Sequence, residues 1–137
     1  MANILRRVIM RKYEDLALVA KKYYKDSNFC SVVAVATVCN MSFGKARIKM
    51  EKAGRPHRKG ALSDTFHNVI KNRGFDIEFV PGYWGHQVKT MGKKLGKGTY
   101  LVEIRNHVIA FVDGVCNDWS DGRCFKVICV HKVTKTN

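Results

Sequence analysis

Eleven consecutive residues, Phe29-Cys30-Ser31-Val32-Val33-Ala34-Val35-Ala36-Thr37-Val38-Cys39, carry no charge in a chain whose 25 Lys and Arg face 11 Asp and Glu. A segment that is apolar on every side must be wrapped by other elements. Eleven residues are long for a strand, and the alanines favour helix. The run therefore predicts a buried central helix. Its N-terminus falls at Asn28 to Cys30, just after the turn formers Asp26-Ser27-Asn28. A chain of 137 residues suffices to enclose one such helix in a single domain, 1–137, without disulfide or metal staples. It holds no internal repeat or linker, and no apolar run reaches the ~18 residues of a membrane span.

The wrapping elements read in two blocks. Residues 11–25 form a helix with an apolar stripe at Leu16, Val19, Ala20, Tyr23 and Tyr24. Ser42 caps a helix over 43–53 that stops at Gly54, and Ser63 caps another that ends at Arg73-Gly74. Residues 1–9 read as an arm or an edge strand. After Gly74 the period falls to two: Phe75, Ile77 and Phe79 alternate with Asp76 and Glu78. Gln87 to Leu95 is one short helix. Tyr100–Arg105, His107–Val112, Val115–Asn117 and Phe125–Val133 suit strands, and Asp113-Gly114 signals a type I′ hairpin. Helices first and an antiparallel sheet second is the α+β class.

Three features of this layout carry chemistry. Cys30 opens the buried helix, where the positive end of the helix dipole favours a thiolate. His107 opens a strand and supplies an imidazole that can take the thiol proton. Asn117-Asp118 follows one hairpin later, so an orienting carboxylate or amide lies on the neighbouring antiparallel strand.

Asp26-Ser27-Asn28-Phe29-Cys30 before an apolar helix, His107-Val108-Ile109-Ala110-Phe111-Val112-Asp113-Gly114, and then Asn117-Asp118-Trp119 resemble a small papain-like cysteine peptidase. The chain is similar to compact peptidase-like proteins encoded by bacteriophages and to the domains that cleave double-glycine leaders. The motifs lie in 26–38 and 107–119. The resemblance implies a papain-like α+β domain, with N-terminal helices and a buried central helix packed on a C-terminal antiparallel sheet. It also implies Cys30 as nucleophile, His107 as base and Asp118 as orienting residue, with Asn117 its rival. A peptide or protein would be the substrate, with no cofactor. One departure stands out. Such enzymes place a glutamine a few residues before the cysteine to bind the oxyanion, and the single glutamine here is Gln87. Asn28 or Ser27, with the Cys30 N–H, is the substitute in reach. Losing one such donor costs on the order of 100–1,000-fold in rate.

The remaining sulfur and charge have plainer readings. Cys39 is a small buried hydrophobe. Cys116, Cys124, Cys129 and His131 lack the spacing of a zinc knuckle, so no metal site is expected. An odd count of five cysteines, and Arg6 and Arg7 inside the first apolar stretch, predict free thiols in a reducing cytoplasm. That would be the host's cytoplasm if the phage resemblance holds. A net charge of +14 draws the chain to polyanions. Arg55, Arg58 and Lys59 in one loop, and Lys93, Lys94 and Lys97 in another, would form a nucleic-acid or acidic-protein contact if they share a face. Lys93 and its neighbours lack the spacing of a phosphate-binding loop.

Three functions therefore compete. The first is a thiol-dependent hydrolase of peptide, isopeptide or related amide bonds. The second is an inactive papain-like basic binding module of an inhibitor or host-takeover kind. The third is an acyltransferase of transglutaminase type. Nothing in the sequence fixes the oligomeric state.

Overall fold

Eight residues of the uncharged run, Ser31 to Val38, are buried, and they form the axis of the molecule. The computed structural model describes residues 11–136; the arm expected over 1–9 lies outside them, as do Arg6 and Arg7. In chain order the described elements are α1 Tyr13–Tyr24, α2 Cys30–Val38, α3 Phe43–Lys52, α4 Ser63–Asn72, β1 Phe75–Val80, α5 Val88–Leu95, β2 Thr99–Ile104, β3 His107–Val112, β4 Val115–Asn117 and β5 Cys129–Lys135. The five strands make one sheet in the order β1-β5-β2-β3-β4, antiparallel throughout. The α+β expectation holds. No helix among the described residues is long and apolar enough to cross a membrane.

The period-two alternation of the strands builds two cores. Leu101, Val108, Ala110 and Val133 turn toward α1–α4 and join the buried side chains of α2. Val102, Ile104, Ile109, Phe111 and Val130 turn the other way, onto Val88, Met91 and Leu95 of α5. Each fully buried valine of α2 contributes roughly 1.5–3 kcal/mol of transfer free energy, so this helix is fixed in place by packing alone. At Asp113-Gly114 both residues have positive φ, 49° and 82°, as a type I′ turn requires.

Several local readings need correction. Ser42 does cap α3, its Oγ accepting from Lys45 N at 3.2 Å. Ser63 does not cap α4. It is the first helical residue, and its Oγ donates instead to Glu103 Oε1 at 2.8 Å. Tyr23 leaves the apolar stripe of α1 and stands in solvent, where Ala17 takes the buried position. Phe79 is exposed because β1 is an edge strand, and its ring rests on His131. The strand expected from Phe125 begins only at Cys129. Residues 125–127 pair instead with the segment leading into α5: Val88 N donates to Phe125 O at 3.0 Å and Val127 N to His86 O at 2.7 Å.

Candidate active site

Cys30 is the first residue of α2, and the turn before it is held from below. Lys25 ends α1 in the left-handed conformation, φ 52°. Asp26 follows, and its Oδ1 accepts from Asn28 N at 3.0 Å. Its Oδ2 meets the Arg55 guanidinium at 2.6 Å, with both side chains fully buried. Arg55 also donates to Asn28 O at 2.9 Å and to Lys59 O at 2.7 Å. A buried guanidinium survives only when paired and hydrogen-bonded in this way. Arg55 is therefore a structural clamp, not the polyanion contact expected from its basic loop.

Two tight turns bring the other members to Cys30. His107 begins β3 directly after the two-residue turn Arg105-Asn106. The Asp113-Gly114 turn folds β4 back beside β3, pairing Asn117 with Ala110 and leaving Asp118 just beyond. His107 Nε2 donates to Asp118 Oδ2 at 2.8 Å. Ser120 steadies the same oxygen with its N–H at 3.0 Å and its hydroxyl at 2.5 Å. With Nε2 engaged, Nδ1 of the ring is left to face the Cys30 thiol, whose pKa the His107 side chain lowers. Trp119 covers the imidazole with ring centroids 5.3 Å apart.

The electrostatics follow from these contacts. Burial pushes the Cys30 thiol up. The His107 hydrogen bond, the Val108 backbone, the His107 charge and the Ser31 backbone more than reverse this, so its pKa falls below the ordinary thiol value. Burial pushes His107 down, but its bonds to Asp118 and Cys30, and their charges, raise it to about 9. The two shifts run in opposite directions, the thiol toward the charged form at lower pH and the imidazole toward keeping its proton to higher pH.

Asn117, the rival of Asp118, points elsewhere. Its Oδ1 accepts from Tyr13 N at 2.8 Å, and its Nδ2 donates to Arg11 O at 2.8 Å and Thr37 Oγ1 at 3.0 Å. It fastens the start of α1 to the sheet. Asn28, proposed for the oxyanion, commits its Nδ2 to Arg58 O at 3.0 Å. Ser27 and Asn28 do line a small recess against Cys30, and Tyr13 lines it with them. Burial first, then the charges of Asp118, Cys30 and Glu14, pushes the Tyr13 phenol up to about 12, which keeps its proton in place. Tyr13 and Ser120 were not singled out from sequence, and Trp119 entered only as the end of the Asn117-Asp118-Trp119 motif. Only Trp119 and Ser120 had a signal, their adjacency to Asp118.

A cleft of about 730 Å³ opens at the dyad, between the loop that leads into α4 and the β2–β3 turn, with Cys30, His107, Leu62, Phe66 and Glu103 on its walls. The two basic loops do not share a face. Arg58 and Lys59 precede α4 in the layer of α1–α4, and Lys93, Lys94 and Lys97 belong to α5 and its C-terminal loop across the sheet. Cys116 and Cys129 likewise lie on opposite faces, Cys116 against the α5 core and Cys129 beside Glu103, and Cys124 is exposed.

The architecture matches the crystal structure of a double glycine motif protease from an AMS/PCAT transporter in complex with its leader peptide. The TM-score is 0.51 at 16% identity, over 95% of this chain and 91% of that one. The fold is that of a papain-like cysteine peptidase. No protein-family model matches the sequence, and no curated protein does. The papain-like fold accounts for the cleft between a helical layer and a sheet, with a cysteine helix on one wall and a histidine strand on the other.

Proposed function

We propose that this chain is a thiol hydrolase of peptide bonds, with Cys30 as nucleophile, His107 as acid and base, and Asp118 as orienting group. The observation that carries the reading is one imidazole with Asp118 2.8 Å from its Nε2 and the Cys30 thiol on its other side, at the N-terminus of a buried helix. The Cys30 thiolate attacks the carbonyl carbon, forming a C–S bond and a tetrahedral oxyanion. The C–N bond then breaks as His107 gives its proton to the leaving amine. Water, deprotonated by His107, attacks the thioester, and the C–S bond breaks to release the acid and the thiol. The oxyanion would be met by the Cys30 N–H, one of the donors that the first turn of a helix leaves unused, and by the Tyr13 hydroxyl in place of the missing glutamine. The leader peptide held by the similar fold supports a peptide as the substrate class.

The test is the alkylation rate of each of the five cysteines with iodoacetamide against pH, read by peptide mass spectrometry. Cys30 should react at pH 6–7 while Cys39 does not, and His107→Ala should slow Cys30 alone. If Cys30 tracks Cys39, the hydrolase reading is wrong. The competing binding-module reading would then be pursued with nucleic acid and acidic proteins across a salt series.

A further inference from the structure

On the wall of the cleft away from the thiol, three elements converge that no sequence motif links. β2 and β5 pair with Glu103 opposite Cys129 and Leu101 opposite His131. The pleat therefore turns Glu103, Cys129 and His131 to the same face of the sheet, the face covered by α4. His67 comes down from α4 onto them, its ring edge-to-face with that of His131 at 4.7 Å between centroids. One ligand atom from each of His67, Glu103 and His131 lies within 4.8 Å of the other two.

We propose that His67, Glu103 and His131 bind a divalent transition-metal ion, zinc foremost, which ties α4 to β2 and β5. The first argument is an unmet need. His67 Nε2 and His131 Nδ1 are buried and have no hydrogen-bond partner among the described residues. Native structures rarely leave such atoms unserved, because a buried polar atom without a partner keeps its full desolvation penalty. The ring pair does not serve itself, since a T-shaped contact at this distance makes no N–H···N bond. His131 Nδ1 is 3.9 Å from Glu103 Oε2, too far for a hydrogen bond and near enough for both to reach one ion.

The second argument is chemical. Two imidazoles and a carboxylate are a zinc set that leaves one coordination position open. Cys129 Sγ donates to Glu103 Oε2 at 3.3 Å, at the edge of this cluster. Ligands of a tetrahedral zinc are about 3.4 Å apart, so the present spacing closes with side-chain shifts of about 1 Å. Ser63 Oγ already orients the carboxylate from the second side. Lys71, one turn along α4 from His67, is the opposing charge, and it is exposed and free to turn into water. The inference is independent of the thiol chemistry.

The test uses the tag-free full chain, stripped with EDTA and titrated with zinc against a chromophoric chelator, with Co2+ absorption as a second readout. One equivalent should bind to the wild type and equally to Cys30→Ala, with a rise in Tm. Glu103→Gln and His131→Gln should each weaken binding tenfold or more and remove the Tm rise. Near-UV circular dichroism of the metal-free variants serves as the folding control, and His67→Asn on the helix surface replaces any variant that does not fold. Absence of stoichiometric binding by the wild type overturns the proposal. So does binding that survives these substitutions, or binding that disappears with Cys30→Ala, which would place the metal on the thiol.

Discussion

The two ends of α2 each carry a cysteine, and the molecule treats them oppositely. Cys30 is the first helical residue; Cys39 is the C-cap, its N–H bonded to Val35 O at 2.9 Å. Burial pushes both thiols up. At Cys39 only the Arg73 charge is resolved against it, and the pKa rises to about 11. At Cys30 an imidazole and two backbone groups turn the balance the other way. The helix field reinforces the contrast, favouring an anion at the start and opposing one at the end. Burial raises a thiol pKa, and donors aimed at the sulfur lower it.

The comparison breaks most sharply by substitution at its two poles. Cys30→Ala should lower peptide hydrolysis by on the order of 10⁴–10⁶-fold, and Cys39→Ser should leave it within about twofold, measured as kcat/KM on a cleaved peptide. Next comes the clamp that only the Cys30 end possesses. Arg55→Ala strands the Asp26 carboxylate in the interior and should cost about 3–5 kcal/mol in urea unfolding, and the loosened turn should bring Cys30 alkylation down toward that of Cys39. His107→Ala should slow Cys30 alkylation at pH 7 by roughly 100-fold and leave Cys39 unchanged.

The pH profile sharpens the same contrast. The thiolate is gained as pH rises through the lowered Cys30 pKa, and the acid that protonates the leaving amine is lost as pH rises through about 9 at His107. Hydrolysis should therefore rise with pH as the thiolate forms, below the ordinary thiol range, and fall off near 9; a rate still climbing above 9 would mean that His107 is not the acid. The smallest effect is expected at Tyr13. Tyr13→Phe keeps the ring on Phe29 and removes one oxyanion donor, for a loss of about tenfold or more in kcat with KM little changed.

What was legible in the sequence was whatever short-range pattern determines. The uncharged run specified α2, alternation specified β1, and Asp113-Gly114 specified the turn that lets Asp118 meet His107. Burial of charge was not legible. Arg55 sits in a run of basic residues and reads as surface, because its partner Asp26 lies 29 positions away. Ser63 has the right type and place for an N-cap, yet a carboxylate on β2 outbids the local backbone. The strand at Phe125 started late because the 85–88 segment offered the same backbone groups a partner. His67, Glu103 and His131 come from three elements, and only the β2–β5 register and the packing of α4 reveal them as neighbours.

The place of β5 in the sheet has a consequence in time. It is the last strand in order, yet it lies between β1 and β2. Before it arrives, β1 with α4 is one fragment and the β2–β3–β4 meander another, each with an open edge that invites wrong partners. A ribosome releases sequence in order, at about 5–20 residues per second. The sheet behind the cleft joins β1 to β2 only through Cys129–Lys135, so it is incomplete until that strand has emerged. On the proposed function, strand order leaves the Cys30 nucleophile without its completed sheet through most of the chain's synthesis.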